Sequence, residues 1–166
     1  MTEIIIEKNL VEEILAALED VKDPEIPFIS VVELGIITAV EVDNDNVKVK
    51  MIPTFTACPA IKLMQQQIRD RVLVMGFNKV EVVIDPSVAW SSDRVSEAGI
   101  KKLEKFGLGT AHRHGGEFSF NELSQSKCPH CGSNNTTMQS MFGSTLCRSM
   151  HYCFDCKQGF ERFKPL

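Results

Sequence analysis

The sequence predicts an α+β fold, in which a small two-layer domain of helices and a sheet is followed by a cysteine-rich metal-binding module. Apolar residues recur at helical spacing in some early segments and alternate with polar residues in others. Five of the six cysteines follow residue 127, and four of these form two CxxC pairs. We therefore predict an α+β domain at residues 1–107, a glycine-containing linker at 108–126 and a four-cysteine domain at 127–166.

The first helix is predicted at about residues 9–21, because apolar residues recur there every three or four positions. Asn9 followed by Glu12 has the pattern of a helix cap. Two prolines in the segment KDPEIP, residues 22–27, are expected to end the helix.

Two strands should follow at residues 35–42 and 47–52, since the second alternates valine and methionine with lysine. The intervening DNDN favours a hairpin turn. The elements that complete the domain are a second helix from about residue 61 to Gly76, a third strand at 79–84 and a third helix at 96–106 that Gly107 ends. The resulting order is α-β-β-α-β-α.

Composition and charge narrow the class of protein. The 166 residues are 43% hydrophobic and 24% charged, and no apolar run approaches the roughly 20 residues of a membrane span. The N-terminal MTEIIIEKN is unlike a secretory signal, so we expect a cytoplasmic protein with reduced cysteines. The net charge is −4, divided into −6 for residues 1–110 and +2 for residues 111–166. This balance argues against nucleic-acid binding.

Cys58 is predicted to be a reactive thiol at a helix N-terminus. Pro59 suits the first helical position, because that position needs no backbone N–H. The helix dipole would then stabilise a thiolate and lower the pKa of Cys58 below about 8.5. The hydroxyl groups of Thr54 and Thr56 could donate hydrogen bonds to it. The alternative is that Cys58 is a small buried apolar residue.

The acidic residues Asp23 and Glu25 are further candidates. They lie in the loop DPEIP, which could approach Cys58. The alternative is that Asp23 only opens a turn, as aspartate before proline often does.

The two CxxC pairs predict a tetrahedral metal site. The pairs are separated by 21 residues, and the four predicted ligands are Cys128, Cys131, Cys153 and Cys156. Four thiolates leave no open position on one ion, so the metal should be structural. The 37 residues from Cys128 to Lys164 are too few for a large hydrophobic core. Zinc is expected, although the pattern leaves iron open.

Other residues of this region have alternative roles. Cys147 and His151 lie between the pairs and could replace a ligand, but packing or exposure is favoured because the four thiols already saturate zinc. His112 and His114 of the linker are expected to be solvated. Five aromatic residues are predicted to form the small core: Phe142, Tyr152, Phe154, Phe160 and Phe163.

Several segments carry a family resemblance. DPEIPFISVVELGIITAVEV, PTFTACPAIKLM and PSVAWSSDRVSEAGIKKL resemble the metal–sulfur cluster assembly domain of SufT-like proteins and cytosolic iron–sulfur targeting factors. With the cysteine-rich segment added, nearly the whole chain resembles the PaaD (PaaJ) family, a subunit of the phenylacetyl-CoA oxygenase, or ring 1,2-epoxidase. The resemblance implies an accessory protein that helps an iron–sulfur cluster reach the reductase component of this enzyme, in aerobic phenylacetate degradation.

The resemblance also assigns residues. Cys58 matches the single cysteine of the family's T-x-x-x-C-P loop, which is proposed to handle iron or a cluster, and Thr54 matches the start of that loop. Asp23 and Glu25 match an acidic loop. The four paired cysteines match a zinc ribbon, and Cys147 matches a further cysteine usual in this group. The implied metals are one structural zinc ion and a transient iron or iron–sulfur cluster.

Three functional hypotheses are compatible with the sequence. The first is an accessory factor without turnover of its own, with epoxidase components, especially the iron–sulfur reductase, and general iron–sulfur assembly proteins as partners. The second is a stable non-catalytic subunit of the oxygenase. The third is a thiol–disulfide or sulfur-transfer enzyme, which lacks an obvious resolving cysteine beside Cys58. We expect no nucleic-acid or membrane partner, and the sequence leaves a homodimer open.

Overall fold

The chain divides into two compact units, residues 1–90 and residues 91–166. The computed structural model describes residues 2–55, 58–110, 113–115, 124 and 126–164, with side chains from Asn9 onward. The predicted mixture of helices and sheets is confirmed. The extent of the linker stays a prediction, because much of it lies outside the described residues. None of the described helices is long and apolar enough to cross a membrane.

Where the structure describes it, the first unit contains two helices and five strands. They are α1 (Thr2–Leu18), β1 (Lys22–Asp23), β2 (Ile26–Ser30), β3 (Ile37–Asp43), β4 (Asn46–Met51), α2 (Ile61–Leu73) and β5 (Lys79–Ile84). Strand β4 is central in a three-stranded sheet, antiparallel to β3 and parallel to β5. The pair β1–β2 is a separate antiparallel ribbon.

The alternation predicted for β4 decides which face of the sheet is buried. Val47, Val49 and Met51 are buried, whereas Lys48 and Lys50 point to the other face. Both helices contact the strands at the edges of this sheet, α1 with β3 and α2 with β5. The buried residues of α2 recur at helical spacing and are Met64, Ile68 and Val72.

The N-terminal helix differs from its prediction at both ends. It begins at Thr2, so Asn9 lies inside the helix and does not cap it. Residues 2–8 contain neither glycine nor proline and so permit the extension. The helix ends at Leu18, because residues 22–30 form the unpredicted ribbon β1–β2. Its two prolines had indicated only an irregular loop.

Among its described residues, the second unit holds a short 3₁₀ turn, the helix α3 and a four-stranded sheet. The elements are the turn Ser92–Arg94, α3 (Glu97–Lys105), β6 (Leu108–Gly109), β7 (Thr136–Ser140), β8 (Arg148–Cys153) and β9 (Gly159–Phe163), and the strand order is β6-β9-β8-β7. The hydroxyl of Ser96 accepts a hydrogen bond from the N–H of Gly99 and so caps α3. The helix ends as predicted before Gly107, whose φ is +77°.

Two expectations for the second unit were wrong. Phe142 and Phe154 are 57% and 44% exposed, so they are not core residues, whereas Phe160 and Phe163 are buried. His114 is not solvated, since its side chain is 3% exposed and its Nε2 lies 3.1 Å from the hydroxyl of Ser92. His112 lies outside the described residues.

Candidate functional site

Cys58 lies just before α2, close to the predicted position. The helix begins at Ile61 with Ala60 as its N-cap, so Pro59 belongs to the preceding turn and is not the first helical residue. The backbone N–H groups of Ala60 and Ile61 lie near the Cys58 thiol as donors that favour its thiolate, and the Ile61 N–H donates to the Cys58 carbonyl at 3.5 Å. These two donors have no side-chain signature in the sequence, and only their place at a helix start could have indicated them.

The predicted low pKa of Cys58 is wrong in direction. Burial raises the pKa of the half-buried thiol above its ordinary value, and this outweighs the effect of the Ala60 and Ile61 N–H groups. The negative charges of Glu25 and Asp23 raise the pKa further. Cys58 is therefore a protonated thiol at neutral pH, because the helix terminus does not compensate for burial and two nearby carboxylates.

The acidic loop does approach Cys58, as the sequence suggested. Both Asp23 and Glu25 act electrostatically on its sulfur. Asp23 is 5% exposed, and its Oδ1 accepts hydrogen bonds from the N–H groups of Glu25 at 2.7 Å and Ile26 at 3.0 Å. Asp23 therefore holds the turn between β1 and β2 while it places a negative charge near the thiol.

Thr54 and Thr56 were the hydroxyl donors predicted for the Cys58 sulfur. Thr54 is buried, but among the described residues the donors to the Cys58 sulfur are backbone groups and not the Thr54 hydroxyl. Thr56 lies outside the described residues. A role for either threonine stays a prediction.

The four paired cysteines converge in the second unit. Their sulfur atoms all lie within 4.8 Å of one another, with Cys128 to Cys156 at 3.7 Å and Cys131 to Cys153 at 3.6 Å. A tetrahedral ion with Zn–S bonds of about 2.3 Å would place its sulfurs about 3.8 Å apart. The donor set and its spacing therefore fit one tetrahedral metal ion, and a zinc ion held there would tie β8 and its turn to the first CxxC loop.

The two CxxC turns have the same backbone shape. Gly132 follows the first pair with φ +76°, and its N–H donates to the Cys128 carbonyl at 2.9 Å. Lys157 follows the second pair with φ +61°, and its N–H donates to the Cys153 carbonyl at 3.0 Å. Lysine rarely adopts this conformation, so the sequence did not indicate it; the equivalent position of Gly132 was the available signal.

Cys147 and His151 are buried and stand outside the four-sulfur group among the described residues. The Cys147 sulfur lies 3.1 Å from the Thr145 hydroxyl. The His151 ring stacks on Phe160, with centroids 5.4 Å apart, and burial together with the charge of Arg162 lowers the pKa of His151 to about 4. His151 is therefore a neutral packed side chain at pH 7.

Comparison with known proteins relates both parts of the chain to described families. Residues 11–84 match the family model of an iron–sulfur cluster assembly protein, and residues 114–164 match that of the PaaD zinc beta ribbon domain. The chain is 31% identical over 154 residues to a putative 1,2-phenylacetyl-CoA epoxidase subunit of Escherichia coli strain K12, covering 93% of this chain and 92% of that protein.

Two further similarities concern only part of the chain. It is 35% identical over 94 residues to an Fe-S protein maturation auxiliary factor of Porphyromonas gingivalis, covering 55% of this chain and 89% of that protein. The crystal structure of a domain of unknown function, DUF59, from Bacillus anthracis is similar with a TM-score of 0.56 and 26% identity. That match covers 60% of this chain and 95% of the other.

Proposed function

Since the chain belongs to the PaaD family, in which an iron–sulfur cluster assembly domain precedes a zinc ribbon, we propose that it is an accessory maturation factor of a phenylacetyl-CoA epoxidase. Cys58 takes up iron or an iron–sulfur cluster as cargo and delivers it to the reductase component. The zinc ribbon recognises that client. The observation that carries the proposal is that Cys58, just before α2, lies within electrostatic range of Asp23 and Glu25 of the β1–β2 ribbon.

The chemistry of this convergence favours a cation as cargo. Burial and nearby negative charge both keep this thiol protonated, and the negative charge favours a positive ion in place of the proton. Binding of Fe²⁺ forms one Fe–S bond and releases the thiol proton to water, with no change in oxidation state. Asp23 and Glu25 then attract the bound cation, where before they opposed the thiolate. Release to the client reverses the same exchange.

The raised pKa of Cys58 disfavours a thiol–disulfide or sulfur-transfer enzyme. Such an enzyme needs an abundant thiolate at neutral pH, and usually a second cysteine to resolve the intermediate. Cys58 is the only cysteine before residue 128. An accessory protein that binds a cation needs neither a resting thiolate nor a second cysteine. It is therefore compatible with the raised pKa of Cys58 and with its isolation in the sequence.

The cysteines of the second unit serve a different purpose. Cys128, Cys131, Cys153 and Cys156 would hold a structural zinc ion with all four positions filled, so its chemistry is to fix the fold of the ribbon. The cargo and the structural metal thus have separate ligands.

Anaerobic reconstitution with iron and sulfide tests the proposal. Wild type should acquire visible absorption and transfer it to apo-reductase, whereas Cys58→Ala should do neither. Cys147→Ala is the matched control, since it also removes one sulfur outside the four-sulfur group. Equal transfer by wild type and Cys58→Ala would contradict the proposal. If instead the chain co-purifies with the oxygenase at fixed stoichiometry and transfers nothing, the stable-subunit alternative is correct.

A further inference from the structure

A groove of about 550 Å³ lies in the first unit, between residues 20–27 and the last turns of α2. Its apolar lining includes Val21, two prolines of the β1–β2 turn region and Val74. Val74 is 79% exposed, and Pro24 and Pro27 are also exposed. A groove of this volume can accommodate several side chains of a bound peptide.

The charges of the groove favour a cationic occupant. Three carboxylates line it: Asp20, Asp23 and Asp70. Lys22 and Arg71 also line the groove, so its charged side chains sum to −1. Arg71 donates two hydrogen bonds to Asp20, at 2.8 and 3.1 Å, so these two charges offset each other, and Lys22 donates to the Glu19 carbonyl. The first unit as a whole has eight basic and fifteen acidic residues, a net charge of −7. Its electrostatic field therefore attracts positive segments.

One residue of the groove also influences Cys58. Asp23 lines the groove, and its carboxylate also acts on the Cys58 sulfur. A cation bound beside Asp23 would therefore lie within electrostatic range of the thiol.

We propose that this groove binds a short segment of the client protein in which lysine or arginine lies next to apolar side chains. The cation is placed beside Asp70 and Asp23, and the apolar side chains contact Val74 and the prolines. The identity of the bound protein as the client rests on the function proposed for Cys58, but the binding itself does not.

Fluorescence anisotropy with a labelled eight-residue peptide that alternates leucine and lysine tests the groove directly. A peptide that alternates leucine and glutamate should bind at least tenfold more weakly. Val74→Lys should weaken binding of the lysine peptide about tenfold, because it removes apolar contact and adds repulsion at an exposed position.

Asp70→Asn and Asp43→Asn form a matched pair. Each is an exposed aspartate that accepts one side-chain amide hydrogen bond, from Gln66 at 2.7 Å and from Asn44 at 3.0 Å, and only Asp70 lines the groove. Asp70→Asn should weaken peptide binding several-fold, and Asp43→Asn should leave it within about twofold. Absence of saturable binding, or equal weakening by both variants, would overturn the proposed groove.

The two proposals fail separately. Cys58→Ala should bind the lysine peptide as wild type does, because the groove does not include Cys58. Normal cluster delivery by Cys58→Ala with intact peptide binding would contradict only the function of Cys58. Loss of delivery in Cys58→Ala, combined with unaltered peptide binding in Val74→Lys, would contradict only the groove.

Discussion

Removal of one metal ligand should unfold the zinc ribbon while the first unit keeps its structure. We choose Cys153→Ser, because Cys153 is fully buried and its sulfur lies 3.6 Å from that of Cys131. The buried hydrophobic cluster around these sulfurs contains a single aromatic residue, Phe160. Burial of one phenylalanine contributes about 1.5–3 kcal/mol, whereas a structural zinc ion contributes about 10–16 kcal/mol. Loss of the metal therefore exceeds what the local core can offset.

Hydrogen exchange measured by mass spectrometry, with zinc content determined on the same sample, checks this prediction. Wild type should hold one zinc ion per chain, and Cys153→Ser almost none. Amides of β8 and β9 should then exchange as in an unfolded chain, while those of β4 and β5 stay protected. Cys147→Ser, which changes a buried cysteine outside the four-sulfur group, should retain its zinc. Protected β8 and β9 in the metal-free variant would refute the reasoning.

Three further changes have expected results. Asp23→Asn should lower the pKa of Cys58, because it removes a negative charge while the amide oxygen can still accept the hydrogen bonds of the turn. The pH profile of Cys58 alkylation measures this pKa. An unchanged profile would count against the electrostatic effect of Asp23. Lys157→Gly should raise the free energy of unfolding of the zinc-loaded protein by about 1 kcal/mol, since glycine adopts φ +61° without strain. Chemical denaturation measures this free energy, and a lower midpoint in the variant would contradict the prediction. Glu161→Gln should lower the free energy of unfolding by about 1–3 kcal/mol at pH 7. Burial opposes the low pKa of Glu161, but hydrogen bonds from the Ser144 N–H and the Arg148 guanidinium outweigh it. The stabilisation is therefore present above the ordinary pKa of glutamate and should disappear as the pH falls through the lower native value, so wild type and variant should converge in acid.

Local patterns predicted the sheet and the metal ligands well. The alternation of Val47 and Val49 with lysine predicted β4, because strand periodicity is visible within a few residues. Each CxxC pair is equally local, and the two pairs together predicted the group of four sulfurs. The ribbon β1–β2 was missed, because its pairing depends on Asp23 closing a turn that the prolines made resemble a loop.

The properties of Cys58 depend on contacts that are distant in sequence. Its position near a helix start was visible locally, but its burial and the approach of Asp23 and Glu25 follow from the packing of the β1–β2 turn. The sequence therefore indicated the neighbours of the thiol but gave the wrong sign for its pKa. Exposure of Phe142 was missed for a similar reason, since an aromatic residue carries no local sign of which face it occupies.

Iron bound to the client reductase in cells tests the central claim most directly. The reductase would be purified anaerobically from cells that carry wild type, Cys58→Ala or Cys147→Ala in place of the native chain, and its iron and sulfide per polypeptide measured. We predict full occupancy with wild type and Cys147→Ala, and a several-fold loss with Cys58→Ala. Equal occupancy in all three strains would contradict a role of Cys58 in delivery.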